Sequence, residues 1–225
     1  MGALSQSLRD AVFYGIVDTG YVSDADIPGK CRALVRAGCK IIQLRAKNCD
    51  GARRRALAES LLPIFDRDGA PYFVINDDVE LARDICRRIP NSGLHVGQDD
   101  TNPLRAREII GENRVLGLST HSLKQAADAD ALCGVLDYFA VGPVYATGTK
   151  PGRPAVGLEL VREVKRLDCA LPWFAIGGIN EKTAPAVRAA GAERIVAVSC
   201  VLVPDDTGRA VENLLESFKS APAGI

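Results

Sequence analysis

The residues with the most chemical reach stand together in Gln43-Leu44-Arg45-Ala46-Lys47, directly after the apolar run Cys39-Lys40-Ile41-Ile42. The apolar run reads as a buried strand. Side chains alternate along a strand, so Gln43, Arg45 and Lys47 project the same way. An amide, a guanidinium and an ammonium packed side by side repel one another unless something anionic sits between them. Arg grips oxyanions through two parallel N–H groups, and Lys adds a point charge. A phosphate or pyrophosphate is the natural partner. The plainer alternative is a strand end whose cations reach solvent.

Other candidate groups recur after later apolar runs. Asn76-Asp77-Asp78 and Gln98-Asp99-Asp100 each end in two acids. Carboxylates beside a phosphate cradle hold Mg²⁺, which keeps waters and shares its shell with phosphate oxygens. The same acids could cap the helices that follow. Both readings can hold, one acid capping and the other coordinating, and position alone does not say which. Ser119-Thr120-His121 follows another run. The stretch 142–157 is rich in Gly and Pro and carries Lys150 and Arg153, which reads as a basic lid over an anion. Gly177-Gly178 and Ser199 offer backbone N–H groups to a monophosphate.

The two histidines differ. His95 lies inside an apolar run and reads as a hydrogen-bonded wall residue, whereas His121 follows a run and could reach a site. The seven cysteines show no CxxC spacing, and most read as small buried hydrophobes in a reducing cytoplasm. No zinc pattern and no Ser/His/Asp nucleophile arrangement stands out.

These groups need a frame. Short apolar runs at 12–17, 40–45, 72–76, 93–97, 115–119, 138–141, 173–176 and 194–198 read as strands. Helical periodicity falls between and after them, at 27–37, 52–66, 79–88, 103–110, 123–131, 158–167, 183–190 and 208–218. Gly38, Gly111 and Gly191 stand where helix ends need them. Strand and helix alternating eight times predict an α/β fold, a (β/α)8 TIM barrel, spanning residues 1–225 as a single domain. A doubly wound sheet is the runner-up, but no GxGxxG turn follows the first strand. The candidate groups all follow strands, on the face where barrels build their sites. Lys plus Arg is 28 and Asp plus Glu is 28, so no overall basic field exists for nucleic acid or a membrane surface. No signal peptide and no bilayer-spanning run is expected.

In this order and spacing, QLRAK, the NDD of 76–78, HVGQDD, Ser119-Thr120-His121 and the TGTK of 147–150 resemble the thiamine-phosphate synthase (thiamine-phosphate pyrophosphorylase) family. The resemblance runs from Gly15 to Ser199. It implies a Mg²⁺-dependent, cytoplasmic (β/α)8 transferase of thiamine biosynthesis, for which a homo-oligomer remains open. The reaction joins 4-amino-5-hydroxymethyl-2-methylpyrimidine diphosphate to a thiazole phosphate and releases pyrophosphate. By resemblance, Gln43, Arg45, Lys47, Asn76, Ser119 and Lys150 bind the pyrimidine diphosphate, with Arg45, Lys47, Ser119 and Lys150 catalytic. Asp77 and Asp100 are the implied metal ligands, and Thr147, Thr149, Gly178, Val198 and Ser199 hold the thiazole and its phosphate in a separate pocket. Ala46 departs from a common Glu, and Val17-Asp18-Thr19 from a common Thr-Asp order. The alternatives are a thiazole tautomerase on the same barrel, with a base near His121, and a non-catalytic binder of the same phosphates.

Overall fold

The computed structural model describes residues 8–147 and 154–221. Its strands are β1 (Phe13–Asp18), β2 (Ile41–Arg45), β3 (Tyr72–Asn76), β4 (Ser92–Val96), β5 (Val115–Thr120), β6 (Tyr138–Val141), β7 (Trp173–Ile176) and β8 (Ile195–Ala197). Each pairs in parallel with the next, and β8 pairs with β1, so the sheet closes into an eight-stranded barrel. The expected (β/α)8 architecture is therefore the observed one.

The helices among the described residues are α1 (Ile27–Arg36), α2 (Gly51–Phe65), α3 (Val79–Cys86), α4 (Pro103–Ile110), α5 (Leu123–Ala131), α6 (Gly157–Arg166), α7 (Ala184–Ala189), α8 (Ser199–Leu202) and α9 (Thr207–Ser220). Short polar side chains start several of them. Asp50 accepts from Arg53 N, Asp78 from Leu81 N, Asn102 from Leu104 N, Ser122 from Gln125 N and Asp206 from Arg209 N. Each satisfies an amide that the first helical turn leaves without a partner.

Strand alternation divides the apolar residues into two layers. On β2, Ile42 and Leu44 pack outward against the helices, while Ile41 turns into the barrel. The inner layer also holds Tyr14, Ile16, Val74, Val115, Phe174 and Val196. Gln43 and Arg45 follow the inward phase of Ile41, as the sequence pattern requires.

Three local differences from expectation bear on the site. β1 runs one residue further, which brings Asp18 into the strand opposite Arg45. Asn102, rather than Asp99 or Asp100, caps α4. β8 stops at Ala197, and Val198 (φ −126°, ψ −87°) turns the chain into α8. Four residues are too few for helical periodicity to show in a sequence.

The middle of the barrel is filled by aromatic rings. Tyr14, Tyr138 and Phe174 meet edge to face with centroids 5.5 to 5.7 Å apart. Gly117 lies opposite Tyr138 in register, and a Cβ there would fall 2.1 Å from Tyr138 Cζ. Gly117→Ala should therefore overpack the interior and lower stability by about 1–3 kcal/mol. Urea unfolding checks this, and an unchanged midpoint would mean that the ring has room to move.

Candidate functional site

The C-terminal ends of the strands surround a cavity of about 240 Å³. It is lined by Gln43, Arg45, Asn76, Ser119, Thr147, Gly178, Val198 and Ser199, eight of the residues that the resemblance assigns to the site, whereas Lys47, Asp77 and Asp100 do not line it. The residues expected at the diphosphate and those expected at the thiazole phosphate open onto the same cavity. Thr149 and Lys150 lie outside the described residues, as does the middle of the expected lid at 148–153.

At the β2 end, every cation already faces a protein carboxylate. Arg45 Nη1 donates to Asp18 Oδ2 at 2.7 Å, with the Asp18 side chain only 2% exposed. Asp18 also accepts from Gly20 N. Lys47 lies two residues past the strand, with Nζ 2.8 Å from Asp77 Oδ2. The anion expected between Arg45 and Lys47 is in part supplied by the chain itself.

The two acid pairs resolve differently. Asp78 is the cap of α3 and also takes a hydrogen bond from Arg54 Nη1 at 2.7 Å. That frees Asp77 for other work. Asp77 adopts φ 61°, in the left-handed region, which Asp tolerates better than most residues. Arg54 further donates to the carbonyls of Ala46 and Cys49, on either side of Lys47. One guanidinium therefore ties the loop carrying Lys47 to the loop carrying Asp77. Exposed Asp100 accepts from Gly97 N through Oδ2.

Asp77 and Asp100 are hard oxygen donors on neighbouring strand-end loops. Among the described residues no cluster of three or more acids, histidines or cysteines could enclose a metal alone. Two carboxylates suit Mg²⁺ when phosphate oxygens and water complete its octahedron. The donor set fits such a shared site.

At the opposite end, Gly177 (φ 107°) and Gly178 (φ 64°) form a turn that L side chains resist. A Cβ on Gly177 would lie 2.5 Å from Pro143, and one on Gly178 would lie 2.7 Å from Tyr145 Cβ. Asn180 and Thr183 side chains donate to the Gly178 carbonyl and stiffen the turn. Ser199 opens α8 beside it.

The floor is polar and buried. Gln43 Nε2 donates to Tyr14 Oη, and His95 bridges Tyr138 Oη and Ser119 Oγ, which bears out the reading of His95 as a wall residue. Burial pushes the Tyr14 and Tyr138 hydroxyls well above the ordinary phenol range, so both stay protonated. His121 lines the cavity, and its Nδ1 meets the Gly142 carbonyl. A carbonyl only accepts, so Nδ1 carries a proton. Cys200 also lines the cavity, but burial pushes its thiol up to about 11, which leaves little thiolate at neutral pH.

Tyr14, Asp18, Asn180 and Cys200 were not read as site residues from sequence, Asp18 being noted only for its order in the first strand and Cys200 only among the cysteines. Tyr14 and Asp18 could have been, because they sit in phase with Ile16 on a strand whose end was already suspect. Nothing local marks Asn180 or Cys200.

Known proteins resemble this chain over most of its length. Residues 13–201 match the profile of a family described as thiamine monophosphate synthase. A protein of Acidothermus cellulolyticus named thiamine-phosphate synthase is 39% identical over 212 residues, covering 93% of this chain and 96% of its own. One of the same name from Thermobifida fusca is 40% identical, covering 85% of each chain. Among solved structures, thiamine phosphate pyrophosphorylase from Pyrococcus furiosus superposes with a TM-score of 0.72 at 25% identity, covering 95% of this chain and 98% of that one.

The Arg45–Asp18 pair is the most deeply placed charge contact of the site. Asp18→Ala should cost about 3 kcal/mol, because the guanidinium loses its buried carboxylate. Added inorganic pyrophosphate should recover part of that loss, since an anion that binds the folded state stabilises it. Urea unfolding with and without pyrophosphate measures both effects. An unchanged midpoint in the variant would show that the pair contributes nothing.

Proposed function

The chain belongs to the thiamine monophosphate synthase family, and we propose that its strand-end cavity carries out that family's reaction with Arg45, Lys47, Ser119 and Lys150 as the working side chains. The protein is a transferase of thiamine biosynthesis, joining the aminopyrimidine diphosphate to a thiazole phosphate to give thiamine monophosphate and pyrophosphate. The observation that supports the residue assignment is the single chamber. Gln43, Arg45, Asn76 and Ser119 line it together with Gly178, Val198 and Ser199, so two phosphorylated substrates could meet inside it.

In this reading the bond from the pyrimidine methylene to the diphosphate oxygen breaks, and its electron pair leaves with pyrophosphate. The cations Arg45, Lys47 and Lys150 offset the charge that develops on that group, which lowers the barrier. Gln43, Asn76 and Ser119 hold the pyrimidine diphosphate in place. The amino-substituted ring spreads the positive charge left on the methylene. Thr147, Thr149, Gly178, Val198 and Ser199 hold the thiazole and its phosphate, so that the ring nitrogen lone pair forms the new C–N bond. Asp77 and Asp100 would hold Mg²⁺, whose chemistry is to neutralise the departing diphosphate. No protein nucleophile is needed, and the protonated Cys200 thiol suits that.

A cytoplasmic setting is part of the proposal. All seven cysteines are free thiols, as suits a reducing compartment. Among the described residues no helix is long and apolar enough to cross a membrane.

Incubating the protein with both substrates and Mg²⁺ should yield thiamine monophosphate, and excess EDTA should stop it. Asp77→Ala and Asp100→Ala should each lower turnover about 10²-fold or more, as expected when several kcal/mol of charge stabilisation is lost. Calorimetry with Mg²⁺ and pyrophosphate should show weakened joint binding in both variants. Full turnover in chelator would sink the metal assignment.

His121→Asn separates synthase from tautomerase. A synthase needs no obligatory protein base, so substantial thiamine monophosphate formation should survive. Loss of a general base typically costs about 10²–10⁴-fold. Thiazole tautomerisation that collapses by that factor, with no thiamine monophosphate made by the wild type, would reverse the choice.

A further inference from the structure

Five side chains form an unbroken hydrogen-bonded chain beneath the cavity. Gln43 Nε2 donates to Tyr14 Oη at 2.6 Å. Tyr14 Oη lies 2.9 Å from Tyr138 Oη, which lies 2.9 Å from His95 Nδ1. His95 Nε2 lies 2.9 Å from Ser119 Oγ. Gln43 and Ser119, at the two ends, both line the cavity. The two tyrosines between them are 1% and 0% exposed.

A phenol has one proton and can donate only once. A buried hydroxyl left without an acceptor costs about 1–3 kcal/mol, so every proton in the chain has to be used. Setting the donor at one end therefore sets the direction throughout. The Gln43 amide gives to Tyr14, and Tyr14 gives to Tyr138. Tyr138 then gives to His95 Nδ1, which leaves the ring proton on Nε2 for Ser119 Oγ. Ser119 keeps its own hydrogen for the cavity. Gln43 keeps its carbonyl oxygen. Burial holds both phenols protonated, so neither drops out of the chain near neutral pH.

We propose that this directed chain makes the cavity selective for an aminopyrimidine: it holds His95 as the Nε2–H tautomer and presents an outward donor at Ser119 and an outward acceptor at Gln43. A ring nitrogen accepts from the one, and an exocyclic amine donates to the other. A 4-oxo ring would set its own acceptor against the Gln43 carbonyl. Tyr14, Tyr138 and His95 are then positioning residues that act through Gln43 and Ser119. The inference rests on the substrate reading above and adds to it the origin of the discrimination.

Two measurements test it. In uniformly ¹⁵N-labelled wild type at neutral pH, the His95 ring should show a protonated Nε2 and a bare Nδ1, its signals identified by their loss in His95→Gln. A proton on Nδ1 would overturn the direction of the chain. Tyr14→Phe and Tyr138→Phe should each lower the preference in kcat/KM for the amino over the 4-oxo pyrimidine diphosphate by about tenfold, the worth of one uncharged hydrogen bond. The KM for the thiazole phosphate should stay the same, which a general loss of structure would not allow. An unchanged preference in both variants would overturn the proposal. If the wild type made no thiamine monophosphate, the substrate reading and its matched ligand would fall, while the tautomer would still decide the chain's direction.

Discussion

Eight parallel strands closed into a ring have no free edge, so alternate side chains from the strands must share one interior. That constraint brings groups from distant parts of the sequence within hydrogen-bond range. Tyr14 and Tyr138 are separated by most of the chain, yet their hydroxyls touch. It also makes small residues necessary in places. Gly117 gives up a side chain so that the Tyr138 ring can cross the barrel. Near the C-terminal ends the same inward phase carries Gln43 and Arg45, so packing and chemistry use one register.

The interior also sets terms for charge. A guanidinium withdrawn from water needs partners for its N–H groups. Arg45 finds Asp18 at the mouth of the cavity. Far from the cavity, Arg107 shows the same rule in a structural setting. Its guanidinium donates to the carbonyls of Gly111, Arg114 and Val135 and to Asp137. Burial there raises the Asp137 carboxyl above its usual range even with Arg107 beside it, so desolvation outweighs the pairing. The two pairs differ in access: Arg45 faces a space that a phosphate could enter, and Arg107 does not line it.

The strand-end positions of the polar residues could be read from sequence because period-two alternation is local. So could the glycines at 177 and 178, whose backbone angles demand them. What lay beyond reach depends on pairing across strands. Nothing near Asp18 says that it meets Arg45, and nothing near Asp78 says that Arg54 joins its capping role. Asn102 took the cap of α4 because it directly precedes Pro103, the first residue of that helix. Barrel closure also brings the ends of β2, β7 and β8 around one cavity.

Arg54 has a consequence that its distance from the cavity conceals. By holding Asp78 and the carbonyls of Ala46 and Cys49 at once, it fastens two loops to each other. Independent loops would each lose conformational entropy when a ligand drew Lys47 and Asp77 into register. Loops already clasped have surrendered that freedom on folding. In the proposed reaction, arriving phosphates would then meet a prearranged charge pattern, leaving more of their binding energy for the bond that must break.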